Sequence, residues 1–138
     1  MNKTFDSALQ LKDSYALTAS AAAQVASAAK VINVGAGRIN AKAIHMVSAA
    51  NVSAAANLYT IEIQGSTDEA FTAKVTLSST KVGHKTALGE AADKGVGTYE
   101  QAFCNEVAGV IYPYIREYVA IAGSPVSITH ISYIAKAE

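Results

Sequence analysis

The residues whose types suit them to chemistry are few and scattered. His45, His84 and His130 stand far apart, and none has a second ligand at i+2 on a strand or i+4 on a helix. No HxH, HExxH or CxxC occurs, so neither a metal site nor a cofactor is expected from spacing. Each histidine reads as a packed or surface side chain, His45 and His130 within strands and His84 in a loop. The stretch Val34-Gly-Ala-Gly-Arg38 begins like a phosphate-binding loop, but the third glycine position of G-x-G-x-x-G is Asn40. It reads as a turn after a strand, and so does Gly95-Val-Gly97. Cys104 lies in Phe103-Cys-Asn105, inside an expected strand, with no cation or helix N-terminus beside it to favour a thiolate. It reads as a buried apolar thiol. Glu62, Glu100, Glu106 and Glu117 fall on strands, where exposed carboxylates usually solvate a face. No G-x-S-x-G elbow occurs. No catalytic residue is assigned, and the chain reads as a non-enzyme.

The tyrosines are the more informative group. Tyr112, Tyr114 and Tyr118 cluster in Ile111-Tyr-Pro-Tyr-Ile-Arg-Glu-Tyr118. Tyrosine combines apolar area with a polar tip and is enriched at protein interfaces. An interface is the first reading of this cluster, and a sugar-binding platform is the alternative.

The elements that must carry these residues are strands. The chain has 138 residues, enough for one domain spanning 1–138 with a core of its own. Hydrophobic residues make up 51% and charged residues 16%, which argues against disorder. The formal net charge is zero, which argues against a dedicated nucleic-acid binder. A single cysteine excludes an internal disulfide. Residues 14–29 carry no charge but are too short and too polar to span a bilayer, so no membrane partner is expected. Val and Ile total 23 against 8 Leu and Met, a bias toward strands.

Period-two alternation is clearest over Leu58–Gly65, where Tyr59, Ile61 and Ile63 oppose Thr60, Glu62 and Gln64. Lys74–Val82 alternates as well. Tyr114–Ala122 puts Ile115, Val119 and Ile121 on one face with Glu117 intruding, and Arg116 and Tyr118 on the other. Val126–Ala135 closes the chain, with Val126, Ile128, His130 and Ile134 sharing one parity. Lys30–Val34, Ala43–Val52 and Tyr99–Val107 are further strands. Short strands at this spacing predict an all-β fold, a β-sandwich or barrel. A short helical turn fits between Thr86 and Asp93. The Ala-rich stretch Ala16–Lys30 stays open between helix, strand and arm, because Leu17 and Val25 are its only large aliphatics.

Four segments stand together: Phe5-Asp-Ser-Ala8 with Ala16-Leu-Thr-Ala19, then Ala28-Ala-Lys-Val-Ile-Asn-Val-Gly35. Ile63-Gln-Gly-Ser-Thr-Asp-Glu-Ala-Phe71 and the paired closing strands from Tyr114 onward complete the set. Taken in order they cover most of the chain, and they resemble the small capsid cement, or decoration, proteins of tailed bacteriophages. The Ala enrichment at 19–29 and the insert-like Lys81–Gly97 depart from the family's pattern. The resemblance implies a single-domain jelly-roll or β-sandwich, self-association, and attachment to the outside of an assembled head. The implied partners are the major capsid protein and a second copy, a homodimer being preferred over a trimer. The implied location is the outer capsid surface of a virion, after synthesis in the host cytoplasm. Another virion part (tail-tube or head-completion) and a carbohydrate-binding β-sandwich are the alternatives. Phe5, Leu9 and Leu11 precede the first clear strand and suggest an extended N-terminal arm over residues 1–12, suited to adding to a neighbour's sheet. On this reading, deleting residues 1–12 abolishes shell binding and leaves the β circular dichroism intact.

Overall fold

The computed structural model describes residues 7–136. A 3-10 turn, Ser7–Leu9, leads into β1 (Gln10–Leu17). Four short strands follow: β2 (Ala21–Ala22), β3 (Gln24–Val25), β4 (Ala28–Ala29) and β5 (Ile32–Asn33). Then come β6 (Asn40–Ala50), β7 (Leu58–Ser66) and β8 (Lys74–Gly83). One helical turn, α1 (Lys85–Leu88), precedes β9 (Gly97–Cys104). A small hairpin of β10 (Glu106–Val107) and β11 (Val110–Ile111) leads to the closing pair, β12 (Tyr114–Ala122) and β13 (Ile128–Lys136).

Two antiparallel sheets hold the long strands. One is ordered β1-β13-β6-β9, and we call it the first sheet. The second is ordered β12-β7-β8, with β2 and β5 sharing the free edge of β12. Counting β2 and β5 as one interrupted strand, each sheet has four; the chain crosses between sheets at each step except the β7–β8 hairpin, and β1 lies beside β13. That path is a jelly roll, an all-β sandwich. The second sheet follows the alternation read from the sequence. Tyr59, Ile61 and Ile63 are fully buried on the inner face of β7, and Ile115 and Val119 on that of β12.

The Ala-rich stretch is neither helix nor free arm. It has no apolar stripe of period 3.6 to bury, so it folds as the β3–β4 hairpin, turning through Ala26 and Ser27 at φ 53° and 63°. The hairpin is tied to β1 by its backbone. Ala26 N donates to Asp13 Oδ2 at 2.8 Å, and Gln24 N to the Tyr15 hydroxyl at 2.8 Å.

The expected arm over residues 1–12 is corrected in its C-terminal part. Gln10 onward belongs to β1 and pairs with β13, and Leu11 is fully buried in the domain's own core. Leu9 is half-buried against the same cluster. Phe5 lies outside the described residues. The strand escaped the sequence reading because β1 is bulged: its register on β13 shifts on both sides of Lys12, so Leu11 and Lys12 both turn inward.

A buried asparagine ties the loops at each end of the sandwich. Asn57 Nδ2 donates to Asn51 O at 3.0 Å and to Pro125 O at 2.8 Å. Asn105 Oδ1 accepts from Ile39 N at 2.7 Å, while its Nδ2 reaches Gly37 O at 3.0 Å. Because Leu11 and Lys12 are core residues, deletion of residues 1–12 is now expected to destroy cooperative unfolding rather than spare the fold. Leu11→Ala alone is expected to cost about 2–5 kcal/mol in a chemical denaturation curve.

Candidate functional site

The core is two apolar clusters with a polar belt between them. Leu11, Ile32, Ile63, Phe103, Ile115 and Ile134 form one cluster. Leu17, Val47, Tyr59, Ile61, Val119 and Ile128 form the other. Between them, every strand of the first sheet contributes a buried polar side chain. These are Lys12 from β1, His130 and Ser132 from β13, His45 from β6 and Gln101 from β9. Glu117 reaches them from β12 of the second sheet and is itself fully buried.

The hydrogen bonds fix where the protons are. Gln101 Nε2 donates to Ile61 O at 3.2 Å and meets His45 Nε2 at 2.7 Å, while its Oε1 accepts from the Ser78 hydroxyl. The Ile61 carbonyl sets the orientation of that amide. His45 Nε2 is therefore an acceptor, and its proton sits on Nδ1. Nδ1 lies 2.7 Å from Ser132 Oγ and 3.0 Å from Glu117 Oε1. Its N–H is better aligned with the serine, and Oε1 has no hydrogen bond of good geometry. His130 Nε2 donates to Glu117 Oε2 at 2.9 Å, and His130 Nδ1 is buried without a partner. A neutral His130 leaves only a lone pair there, whereas a protonated one would bury an orphan N–H. Lys12 Nζ uses all three of its protons, on Asp13 O (3.1 Å), Tyr15 O (2.8 Å) and His130 O (2.9 Å).

The belt thus holds one anion, one cation and two neutral imidazoles. Burial alone would raise the Glu117 pKa, but the hydrogen bond from His130 and the N–H of His45 beside it outweigh it and hold the carboxyl well below its ordinary range. Burial lowers the pKa of His130, against the opposing pull of Glu117. Burial lowers that of Lys12 to about 8, with Glu117 and Asp13 opposing.

His45, Glu117 and His130 are also the donor set of a metal site, their ligand atoms lying within 4.8 Å of one another. The proton positions do not fit a metal. A ligating imidazole donates its other N–H to an acceptor. Here the outer nitrogen of His45 faces an amide donor, and the outer nitrogen of His130 faces nothing. With every member sealed from solvent, the arrangement orders two sheets and has no surface on which to meet a substrate.

The other candidates are dispersed. His84 caps α1, its Nδ1 accepting from Thr86 N at 3.0 Å. Cys104 is half-buried at the end of β9, not fully buried as its neighbours suggested. Glu62 accepts from Thr76 Oγ1 at 2.7 Å, and Glu100 lies 3.9 Å from Lys42 on the surface. Val34–Arg38 is a turn, with Gly35 N donating to Asn33 Oδ1 at 2.9 Å. Tyr114 and Tyr118 share the outer face of β12, both half-buried, while Tyr112 sits in the preceding loop with its N–H on Asn105 O. Two open depressions, of about 370 and 360 Å³, carry no titratable side chain; Met46 and Ile131 line one, Leu9 and Ile134 the other. The sequence missed Lys12, Gln101 and Ser132 altogether. It set Glu117 among carboxylates expected to solvate a face and His130 as a packed or surface side chain; both are fully buried, and nothing in the sequence signalled that they meet. No family model, no curated protein and no solved structure matches the chain.

Two outcomes follow from the belt. Glu117→Gln puts an amide donor where a carboxylate oxygen faced a ring N–H, and is expected to cost about 3 kcal/mol by denaturation. The joint replacement Lys12→Met, Glu117→Leu, His130→Phe removes charges and partners together and is expected to recover most of that loss. A joint variant no more stable than Glu117→Gln would contradict the account. The second outcome concerns pH. Below the ordinary imidazole value of 6.5 the unfolded chain takes up a proton that folded His130 refuses, so stability falls as pH drops. Below the ordinary carboxyl value of 4.5 the same occurs at Glu117, and the fall steepens. Lys12 acts in the same direction at the alkaline end, where raising pH from about 8 toward 10.5 relieves the cost of its burial. Melting temperature measured from pH 4 to 9 is expected to rise up to about pH 6.5, level off, and rise again above about pH 8.

Proposed function

We propose that this chain is a capsid cement protein of a tailed bacteriophage, binding the outside of the assembled head and bridging major capsid subunits. The observation that carries the reading is the placement of the polar residues. The cluster richest in chemistry among the described residues is sealed inside a jelly roll, and recognition is left to the outer faces and edges of the sheets. Jelly rolls serve viral shells and lectins alike, so the fold permits the reading without deciding it. The resemblance of the four sequence segments supplies the choice of partner.

The mechanism is one of binding energy. A domain that binds the assembled shell and not its separated subunits stabilises the shell by mass action. A contact of roughly 1,600 Å² in total is enough for useful affinity. A site that straddles two subunits exists only when they are correctly spaced, so binding favours the expanded shell over its precursor. The partners proposed are the major capsid protein and a second copy of this chain, and the proposed location is the outer surface of the virion.

A second reading rests on Tyr114 and Tyr118 standing on one outer face, which would suit a sugar ring. Quantitative mass spectrometry of purified particles decides between them. A copy number within a few-fold of the major capsid protein is expected. A handful of copies moves the chain to a tail or head-completion role. Absence from intact particles overturns the virion reading and returns the glycan-binding module to the front.

A further inference from the structure

The outer face of the second sheet carries an organised arginine. Arg116 lies directly opposite Gln64 in the β12–β7 register, and its Nε donates to Gln64 Oε1 at 2.9 Å. Its guanidinium carbon sits 4.4 Å from the centre of the Phe71 ring and 5.9 Å from that of Tyr118. Lys74 Nζ approaches the same Tyr118 ring at 6.0 Å. Gln64 and Phe71 are only 5% and 6% exposed, so the groups that orient the arginine are themselves held in place.

Phe71 is held at some cost. Its φ is 55°, a left-handed conformation that aromatic residues rarely adopt. The loop after β7 enforces it. Asp68 accepts from Ser66 Oγ at 2.9 Å, Thr72 Oγ1 at 2.8 Å and Thr72 N at 3.2 Å, and Ser66 Oγ also contacts Ala73 O at 3.1 Å. The Ser-Thr-Asp stretch noted in the sequence is thus a frame that presses an aromatic ring against one face of a guanidinium.

What remains of Arg116 is its terminal edge. The Nη groups hydrogen-bond to no acceptor among the described residues and are not sealed from solvent. The neighbouring carboxylates are engaged elsewhere, Glu62 with Thr76 and Asp68 with its own loop. A guanidinium fixed at Nε and stacked on one face offers a planar fork with little entropy left to lose. Such a fork matches a carboxylate in two parallel hydrogen bonds. The same face carries Glu62 and the ammonium of Lys81 beside Thr60, Thr76 and Ser79, a mixed field in which the fork suits a single acidic side chain. A nucleic acid or other polyanion would demand a wider basic field.

We propose that Arg116, backed by Phe71 and flanked by Lys74 and Tyr118, is the receiving site for an Asp or Glu side chain of an acidic segment on a partner protein. That the partner is the capsid shell rests on the function proposed above; the site itself does not.

The test is an NMR titration of arginine-labelled protein with the peptide acetyl-Gly-Glu-Glu-Gly-amide at constant ionic strength, the Gln-for-Glu peptide serving as control. The Arg116 Nε–H signal is expected to shift saturably with the acidic peptide alone. Arg116→Lys, which keeps the charge and loses the fork, is expected to weaken binding at least about fivefold. Arg116→Gln is expected to abolish binding with the melting temperature unchanged. Equal shifts with both peptides, or an unaltered affinity in Arg116→Gln, would falsify the site. Binding of Arg116→Gln to purified heads reads the partner separately. Retention of head binding by a variant that has lost the peptide overturns the shell as the partner and leaves the carboxylate site standing.

Discussion

The Glu117 carboxylate is a charge placed where water does not reach it, and the rest of the core is arranged around that fact. Burying an unpaired carboxylate costs several kcal/mol even after relaxation. The sandwich meets that cost with a hydrogen bond from His130, the ring nitrogen of His45 3.0 Å away, and an ammonium on the strand beyond His130. Gln101 and Ser132 then fix His45, so that no member of the group can rotate away alone. The consequence is a core in two apolar halves joined by a polar seam, with the sheets tied to each other at their centres as well as packed.

The same seam withdraws the His–Glu–His group from the described surface. A His–Glu–His group in an open cleft would read as a hydrolytic or metal centre. Here one outer nitrogen faces an amide donor and the other has no hydrogen-bond partner, and aliphatic side chains close both ends. What the molecule offers outward is different in kind. One face of the second sheet presents tyrosine, threonine and an oriented arginine, which are groups for recognition.

The sequence was most legible where one face of a strand was apolar without interruption. The alternation of Tyr59, Ile61 and Ile63 sufficed to place β7 and its inner face. Glu117 was visible only as an intrusion between Ile115 and Val119, and its burial overturns the solvated reading; His130, between Ile128 and Ser132, carried no such mark. Their meeting was not legible, because residues 45, 117 and 130 lie on three strands and only the register across two sheets brings them together. Lys12 was hidden for a local reason. The bulges around it break the period of two, and the strand containing Leu11 therefore looked like a free arm. Gln64 was rightly placed on the outer face, yet it is buried there, because Arg116 bonds to it and Phe71 covers that arginine. Such second-layer burial leaves no trace in a pattern of alternating hydrophobicity.

An aliphatic face of period two is ambiguous about alignment. Slide β13 along β6 by two residues and every inward position is still filled by a side chain of the same parity, Ile128 or Ser132 standing where His130 was. An oily core would tolerate several such misalignments at similar free energy. The ionised rung does not: displaced by two, Glu117 would face Ile128 or Ser132 in place of an imidazole, and His45 would lose Ser132. The buried carboxylate thus serves as an index mark, distinguishing one alignment of eight strands from the near-degenerate ones on either side of it.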